Sequence, residues 1–325
     1  MKRIGDAPFF EGFYFKQQSN EQTLALIVAH HAAKGKPEEA TLQVLTETSS
    51  LVLPLPPLRV GAAGCVFCEA GVFGPAGLRL AVDCPQGSIA GTLLFSDLTP
   101  PYYDIMGPFA LVPGMECRHS LRSLRHRVDG ELIFNGKPYR FANAAGYAEG
   151  DRGRSFPSRY LWTQSLLGPE LQDSVMLSVA MVPFLGAQML GTIASVWTGG
   201  REYRLATYLG ARVEQIESGY AKIVQGSDSL EVRLLEGEHR SLQAPVCGGM
   251  HRTVREGLCC TVLYRFIHHG HILLQGISKN ASFEDEWDVG GKTVYLQEQE
   301  KISIQNKGRK FLTERQFFGI VINTV

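Results

Sequence analysis

The chain carries no surplus of charge of either sign: 32 lysines and arginines balance 32 aspartates and glutamates over 325 residues. That balance excludes a global field that would recruit nucleic acid or an anionic membrane, and it points to a small, uncharged or buried partner. Helical periodicity is missing too, with no stretch sustaining it over four turns, so the architecture has to be read from strands and turns. Metal-binding patterns are nearly absent. Cys65 and Cys68 have the spacing of half a zinc site, but no second pair or matching histidine spacing accompanies them, and residues three apart on a strand face opposite sides. No metal is expected there, and the histidines of H-H-G-H at 268–271 and of His30-His31 read as dispersed surface groups. Gly61–Gly64 precedes no helix and so forms no phosphate-binding loop. The opening M-K-R-I-G-D-A-P-F-F lacks the apolar core of a secretory leader, and seven cysteines make an odd set. Reduced thiols in the cytoplasm are the expectation.

Ser174 to Gly200 contains no charged residue and is long enough to cross a bilayer. Pro183, Gly186, Gln188, Gly191 and Gly199 punctuate it, however, so it reads as two buried strands, Val175–Val182 and Ala187–Trp197, joined by a turn around P-F-L-G, and not as an integral membrane span. Turn chemistry elsewhere is that of hairpins. Asp129-Gly130 and Asn135-Gly136 supply the positive φ angles that would fold Leu121–Val128, Glu131–Phe134 and Lys137–Phe141 into a three-strand meander, with Pro138 marking an edge or a bulge. Gly199-Gly200, Gly226-Ser227 and His269-Gly270 repeat the pattern downstream. Many short strands among 35 glycines indicate an all-β chain of antiparallel barrels or sandwiches. The connector Leu166–Asp173, broken at Gly168-Pro169, divides the chain into domains at 1–168 and 169–325.

The densest chemistry lies between Gly146 and Gln164, G-Y-A-E-G-D-R-G-R-S-F-P-S-R-Y-L-W-T-Q, where two carboxylates, three arginines and several large aromatics crowd together. Read with F-F-E-G-F-Y-F-K at Phe9–Lys16, M-G-P-F-A-L-V-P-G-M-E-C-R-H-S at Met106–Ser120, and R-E-Y-R-L-A-T-Y at Arg201–Tyr208, this segment resembles the tocopherol cyclase-like family. Leu242–Met250 adds a weaker likeness. Two positions depart from the family pattern: Phe13 replaces a tryptophan, and Arg152 replaces an aromatic next to Asp151. The resemblance implies two lipocalin-like antiparallel β-barrel domains, a distant similarity to the carotenoid hydratase group, and closure of a prenylated hydroquinone to a chromanol. The implied partner is a hydrophobic small molecule, a prenylated quinol or other isoprenoid, collected through transient membrane contact.

That closure delivers a proton to an alkene, shields a tertiary carbocation and captures it with a phenolic oxygen; it needs neither cofactor nor metal. The acid must stay protonated near neutral pH, which burial of a carboxyl in an apolar cavity achieves. Glu11, Glu116 and Glu149 are candidate acids and His119 a base or hydrogen-bond partner for the phenol. Tyr14, Tyr147, Phe156, Tyr160 and Trp162 offer aromatic faces to a cation, Tyr160, Trp162 and Gln164 sharing one face if they lie on a strand. Asp151 and Arg154 complete the expected ligand-binding set. Plainer accounts stand beside these: carboxylates clamped by Arg152, Arg154 or Arg159, aromatics filling a barrel core, and a satisfied core histidine. Three functions therefore remain open: an acid-catalysed cyclase or hydratase, a carrier of an apolar molecule, and a β-sandwich without a small ligand.

Overall fold

The computed structural model describes residues 7–287 apart from 62–63, 113–114 and 185–186. Its first sheet runs from β1 (Phe9–Gln18) through β2 (Thr23–Ala32), β3 (Glu39–Thr46), β4 (Ser50–Leu55), β5 (Arg59–Val60), β6 (Val66–Cys68), β7 (Gly71–Gly74), β8 (Gly77–Cys84), β9 (Gly87–Ser96) and β10 (Cys117–Phe134) to β11 (Lys137–Gly153). The second comprises β12 (Tyr160–Leu167), β13 (Asp173–Phe184), β14 (Ala187–Thr198), β15 (Arg201–Ala206), β16 (Arg212–Glu217), β17 (Tyr220–Gln225), β18 (Asp228–Glu236), β19 (Arg240–Val246), β20 (Gly249–His268) and β21 (His271–Asp285).

In the first sheet the spatial order is β4-β3-β2-β1-β11-β10-β9-β8-β7-β6-β5. One apolar cluster takes Leu53 from β4 at one end, Val66 and Phe73 from β6 and β7 at the other, and Phe13, Phe15 and Leu132 from the middle. A flat sheet cannot bring its two ends into one cluster, so this sheet is rolled around a filled interior. The second sheet has the order β15-β14-β13-β12-β21-β20-β18-β17-β16, with β19 on β20. It also curls back on itself: Gln225 of β17 accepts from Ala206 N and donates to Arg204 O, tying β17 to β15. The two sheets belong to one compact unit. The architecture is all-β, antiparallel and lipocalin-like, as the turn chemistry and the resemblance led one to expect.

The chain leaves the first sheet at Gly153 and enters the second at Tyr160, ahead of the Leu166–Asp173 connector. Residues 288–325 of the expected second domain lie outside the described residues. The charge-free run forms β13 and β14, paired from Ser174↔Trp197 to Phe184↔Ala187, and the residues between the two strands, 185–186, also lie outside the described ones. No helix among the described residues is long and apolar enough to cross a membrane.

Asn135-Gly136, Gly199-Gly200 and His269-Gly270 are tight turns with positive φ at both residues. Asp129-Gly130 is not a turn. β10 runs straight through it because β9 pairs continuously from Arg127↔Ser96 to Phe134↔Ile89, and the register against β11 slips there as a bulge. Gly130 is needed for close approach: its φ is +131°, and a Cβ would sit 2.2 Å from the Thr92 carbonyl oxygen. Gly130→Ala is therefore expected to cost roughly 2 kcal/mol of stability, visible as a lower urea midpoint with an unchanged slope. Pro138 does lie on an edge, since β1 pairs only with Ala145–Gly153 of β11.

Candidate functional site

Residues directly opposite in an antiparallel pair project to the same face, so the register of β1, β11 and β10 sorts the conspicuous side chains. Gly12, Asp151 and His119 form one row; Tyr14, Glu149 and Leu121 form the next row on the same face. Glu11, Arg152 and Arg118 form a row on the other face, beside Phe13, Gly150 and Ser120. The first face is the outer surface of the rolled sheet, and the second sheet packs on it. A second apolar cluster joins Tyr14, Ala25 and Leu45 of the first sheet to Trp162, Met176, Leu242 and Val254 of the second, with Ile105 and Met106 from the β9–β10 connection.

A cavity of about 170 Å³ opens in this interface. Phe10, Tyr14, Ile27, Met106, Phe156, Tyr160, Trp162, Val182, Met189, Ile193 and Leu242 give it largely apolar walls; His119, Asp151 and Glu284 are its histidine and carboxylate members. Tyr14 meets Trp162 edge to face at 5.6 Å, and Phe156 meets Phe10 at 5.4 Å and Tyr160 at 6.1 Å. The site thus lies between the sheets, where the rolled core of the first leaves no room.

His119 sits between two carboxylates. Its Nδ1 is 3.0 Å from Asp151 Oδ1, and its Nε2 is 3.3 Å from Glu149 Oε2 at an angle that makes an ion-pair contact without a linear hydrogen bond. Tyr147 donates its hydroxyl to Glu149, and the Cys117 thiol lies 3.4 Å from Asp151. Burial disfavours the imidazolium, but Glu149 and Asp151 together outweigh it and hold the His119 pKa well above the usual histidine value. A charged imidazolium has no lone pair to accept a proton. Of the two roles expected for His119, base or hydrogen-bond partner of a phenol, this geometry disfavours the base, and both ring nitrogens face carboxylates.

Across the interface, Ser178, Trp162, Glu284 and Glu256 form one row of β13, β12, β21 and β20. Glu256 and Glu284 are thus direct cross-strand neighbours, and both are buried. Two carboxylates in that relation cannot both ionise at ordinary cost. Desolvation pushes Glu256 up to about 7 and Glu284 well above the carboxylate range, Glu256 adding to the shift of Glu284. Tyr160 donates to Glu284, and Tyr14 reaches across the interface to Glu256 Oε1 and Ser282 Oγ, both at 2.9 Å. Lys16, fully buried, donates to Asn280 O at 2.7 Å and Ser282 Oγ at 2.9 Å; burial pulls its pKa down to about 8. The register slip between Gly257 and Cys260 lies next to Glu256, and such bulges re-aim side chains.

Of the residues expected from sequence, the cavity gathers Tyr14, His119, Asp151, Phe156, Tyr160 and Trp162. The indole N–H of Trp162 has no acceptor among the described residues. Glu149 and Tyr147 do not line the cavity; Glu149 meets its wall at His119, and Tyr147 packs in the apolar cluster behind it. Gln164 follows Trp162 on the same face of β12 but lies fully buried beyond the cavity wall. Glu11 is turned to the opposite face, where hydrogen bonding to His30 lowers its pKa; that environment is wrong for an acid. Glu116 uses its backbone oxygen to receive Arg154 N and Ser155 N, and neither it nor Arg154 lines the cavity. Arg152 also faces away, so the exchange at that position leaves the cavity wall apolar.

Glu284 and Glu256 were not among the expected residues. Glu284 sits in F-E-D-E-W, which reads as a solvated charge run, although strand alternation does separate Glu284 and Glu286 from Asp285. His119, Glu149 and Asp151 present ligand atoms within 4.8 Å of one another, as do Asp228, His268 and His269 on the β20–β21 hairpin side. In each group an imidazole already contacts a carboxylate, a contact that a cation would have to break.

No family model matches the chain, and no curated protein matches its sequence. Solved structures do share its fold. CghA aligns with a TM-score of 0.56 and 12% identity over 90% of this chain and 94% of its own, and CghA with Sch210972 aligns at 0.55 and 11% over the same shares. Kievitone hydratase from Nectria haematococca aligns at 0.49 and 11% over 87% of this chain and 90% of its own. At such identities the likeness to CghA concerns the arrangement of two antiparallel sheets.

Proposed function

We propose that the inter-sheet cavity binds an apolar, unsaturated small molecule and that Glu284 acts on it by proton transfer, with the charged His119 lining the same wall. The observation that carries this reading is a buried carboxyl, Glu284, held in an aromatic cavity with a tyrosine donor fixing one oxygen, where burial and the neighbouring Glu256 push its pKa well above the carboxylate range. A carboxylic acid in that setting protonates an alkene without competition from water, the faces of Tyr14, Tyr160 and Trp162 favour the cation that results, and the phenolic oxygen that captures it returns its proton to the Glu284 carboxylate, which restores the acid. The Trp162 indole N–H, which has no acceptor among the described residues, is the donor for an oxygen function on the ligand.

Within that class we take the substrate to be a prenylated quinol or related isoprenoid and the reaction to be cyclisation to a chromanol, as in the tocopherol cyclase-like family that the motifs at Phe9–Lys16, Met106–Ser120 and Gly146–Gln164 resemble. A fold neighbour recorded with Sch210972 supports the capacity of this architecture to hold a small organic molecule. A carrier role would be served by a cavity without a reactive acid, and Glu284 counts against it: no arginine or lysine among the described residues lies within ion-pair distance to neutralise it.

The test is incubation of the protein with prenylated hydroquinones of several chain lengths, with chromatographic detection of chromanol. Product formed by the native chain and lost in Glu284→Gln is the expected result. Measurable binding of every chain length with no product from any would establish the carrier instead.

A further inference from the structure

On the inner face of the first sheet, at the mouth of the rolled barrel, lies a polar recess of about 150 Å³. It is separate from the cavity: the two spaces lie on opposite faces of β1, β10 and β11, with the backbone of Gly12, His119, Gly150 and Asp151 between them. Three guanidinium groups converge there. Arg118 and Arg152 are direct cross-strand neighbours, an arrangement that destabilises a sheet when like charges have nothing between them. Arg122 reaches in from beyond the bulge after Leu121, its guanidinium 4.5 Å from the ring centre of Phe13. Its position is fixed from the other side by Gly64, where a Cβ would sit 2.0 Å from Arg122 Nη1.

None of the three has a carboxylate within 4 Å or a hydrogen-bond acceptor among the described residues, and Arg122 Nε is buried without a partner. The negative groups lining the recess are Glu11, Asp104 and Asp151, and each is engaged elsewhere: Glu11 with His30 at 3.2 Å, Asp104 with Met106 N at 2.9 Å, and Asp151 with His119 on the other face. Ser120 spends its hydroxyl proton on Gly150 O. Guanidinium pairs of this kind match the oxygens of carboxylate and phosphate groups.

We propose that this recess binds a small oxyanion, held by Arg118, Arg122 and Arg152. The site is independent of the cavity reading, so either can fail without the other. Inorganic phosphate, diphosphate and citrate, each matched in ionic strength by sodium chloride, are titrated into the native chain and Arg118→Gln/Arg152→Gln, with thermal denaturation and calorimetry as readouts. Both arginines are solvent-accessible, and the variant is expected to fold. The expected result is saturable stabilisation by at least one of the three anions beyond the chloride control, with affinity about tenfold weaker for each arginine removed. The anion that binds best separates a phosphate from a carboxylate ligand. No saturable effect with any of the three, or equal affinity in the double variant, overturns the proposal.

Discussion

Glu284→Gln is expected to lower proton-dependent turnover by roughly a hundred- to ten-thousand-fold, the range lost when a positioned acid is removed. Glutamine keeps the shape of the side chain and an oxygen to receive the Tyr160 hydroxyl, so ligand affinity should hold while kcat falls. An acid with this role must be protonated in the resting protein. Activity should therefore persist at neutral pH and disappear as pH rises through the Glu284 pKa, which desolvation and the neighbouring Glu256 hold well above 4.5. Glu11→Gln is the control: the same substitution on the other face of β1 should leave turnover unchanged.

The second large effect concerns stability. Glu256 ionises near 4.5 in the unfolded chain and near 7 in the fold, because burial disfavours its charge more than Tyr14 and Lys16 favour it. Between those values the folded state holds the extra proton, so stability is full below pH 4.5, falls as pH rises toward 7, and is level above that. The gap of about 2.5 units corresponds to roughly 3 to 4 kcal/mol at most. Glu256→Gln removes the loss and keeps the acceptor for Tyr14, so the variant should be more stable than the native chain at pH 8 and equal to it near pH 4.5. Urea unfolding at the two pH values measures this; parallel stability curves for the two proteins would show that Glu256 is ionised without penalty.

Much of the first wall of the site was legible in the sequence because its residues are contiguous on strands. Alternation alone puts Tyr160 and Trp162 on one face, and the structure adds that this face meets Tyr14 of β1. The position of Glu11 was not legible. It neighbours Gly12 and Tyr14 in a motif dense with aromatics, yet a strand sends adjacent residues to opposite faces, and which face meets the second sheet is a tertiary fact. The acid pair was hidden for a similar reason. Glu256 and Glu284 are 28 positions apart and become neighbours only through the β20–β21 register, which includes three slips that no local pattern announces. Asp129-Gly130 shows the converse: a dipeptide with hairpin chemistry serves as a bulge because β9 pairs across it.

The central claim is that Glu284 is a neutral carboxylic acid in the cavity at physiological pH, and infrared difference spectroscopy tests it most directly. Comparing the native chain with Glu284→Gln near pH 7, the account predicts a protonated-carboxyl C=O band that is present in the first and missing from the second. It should also shift in deuterium oxide and survive in Glu11→Gln. A native spectrum without that band, or one that the Glu284 substitution leaves unaltered, would contradict the account.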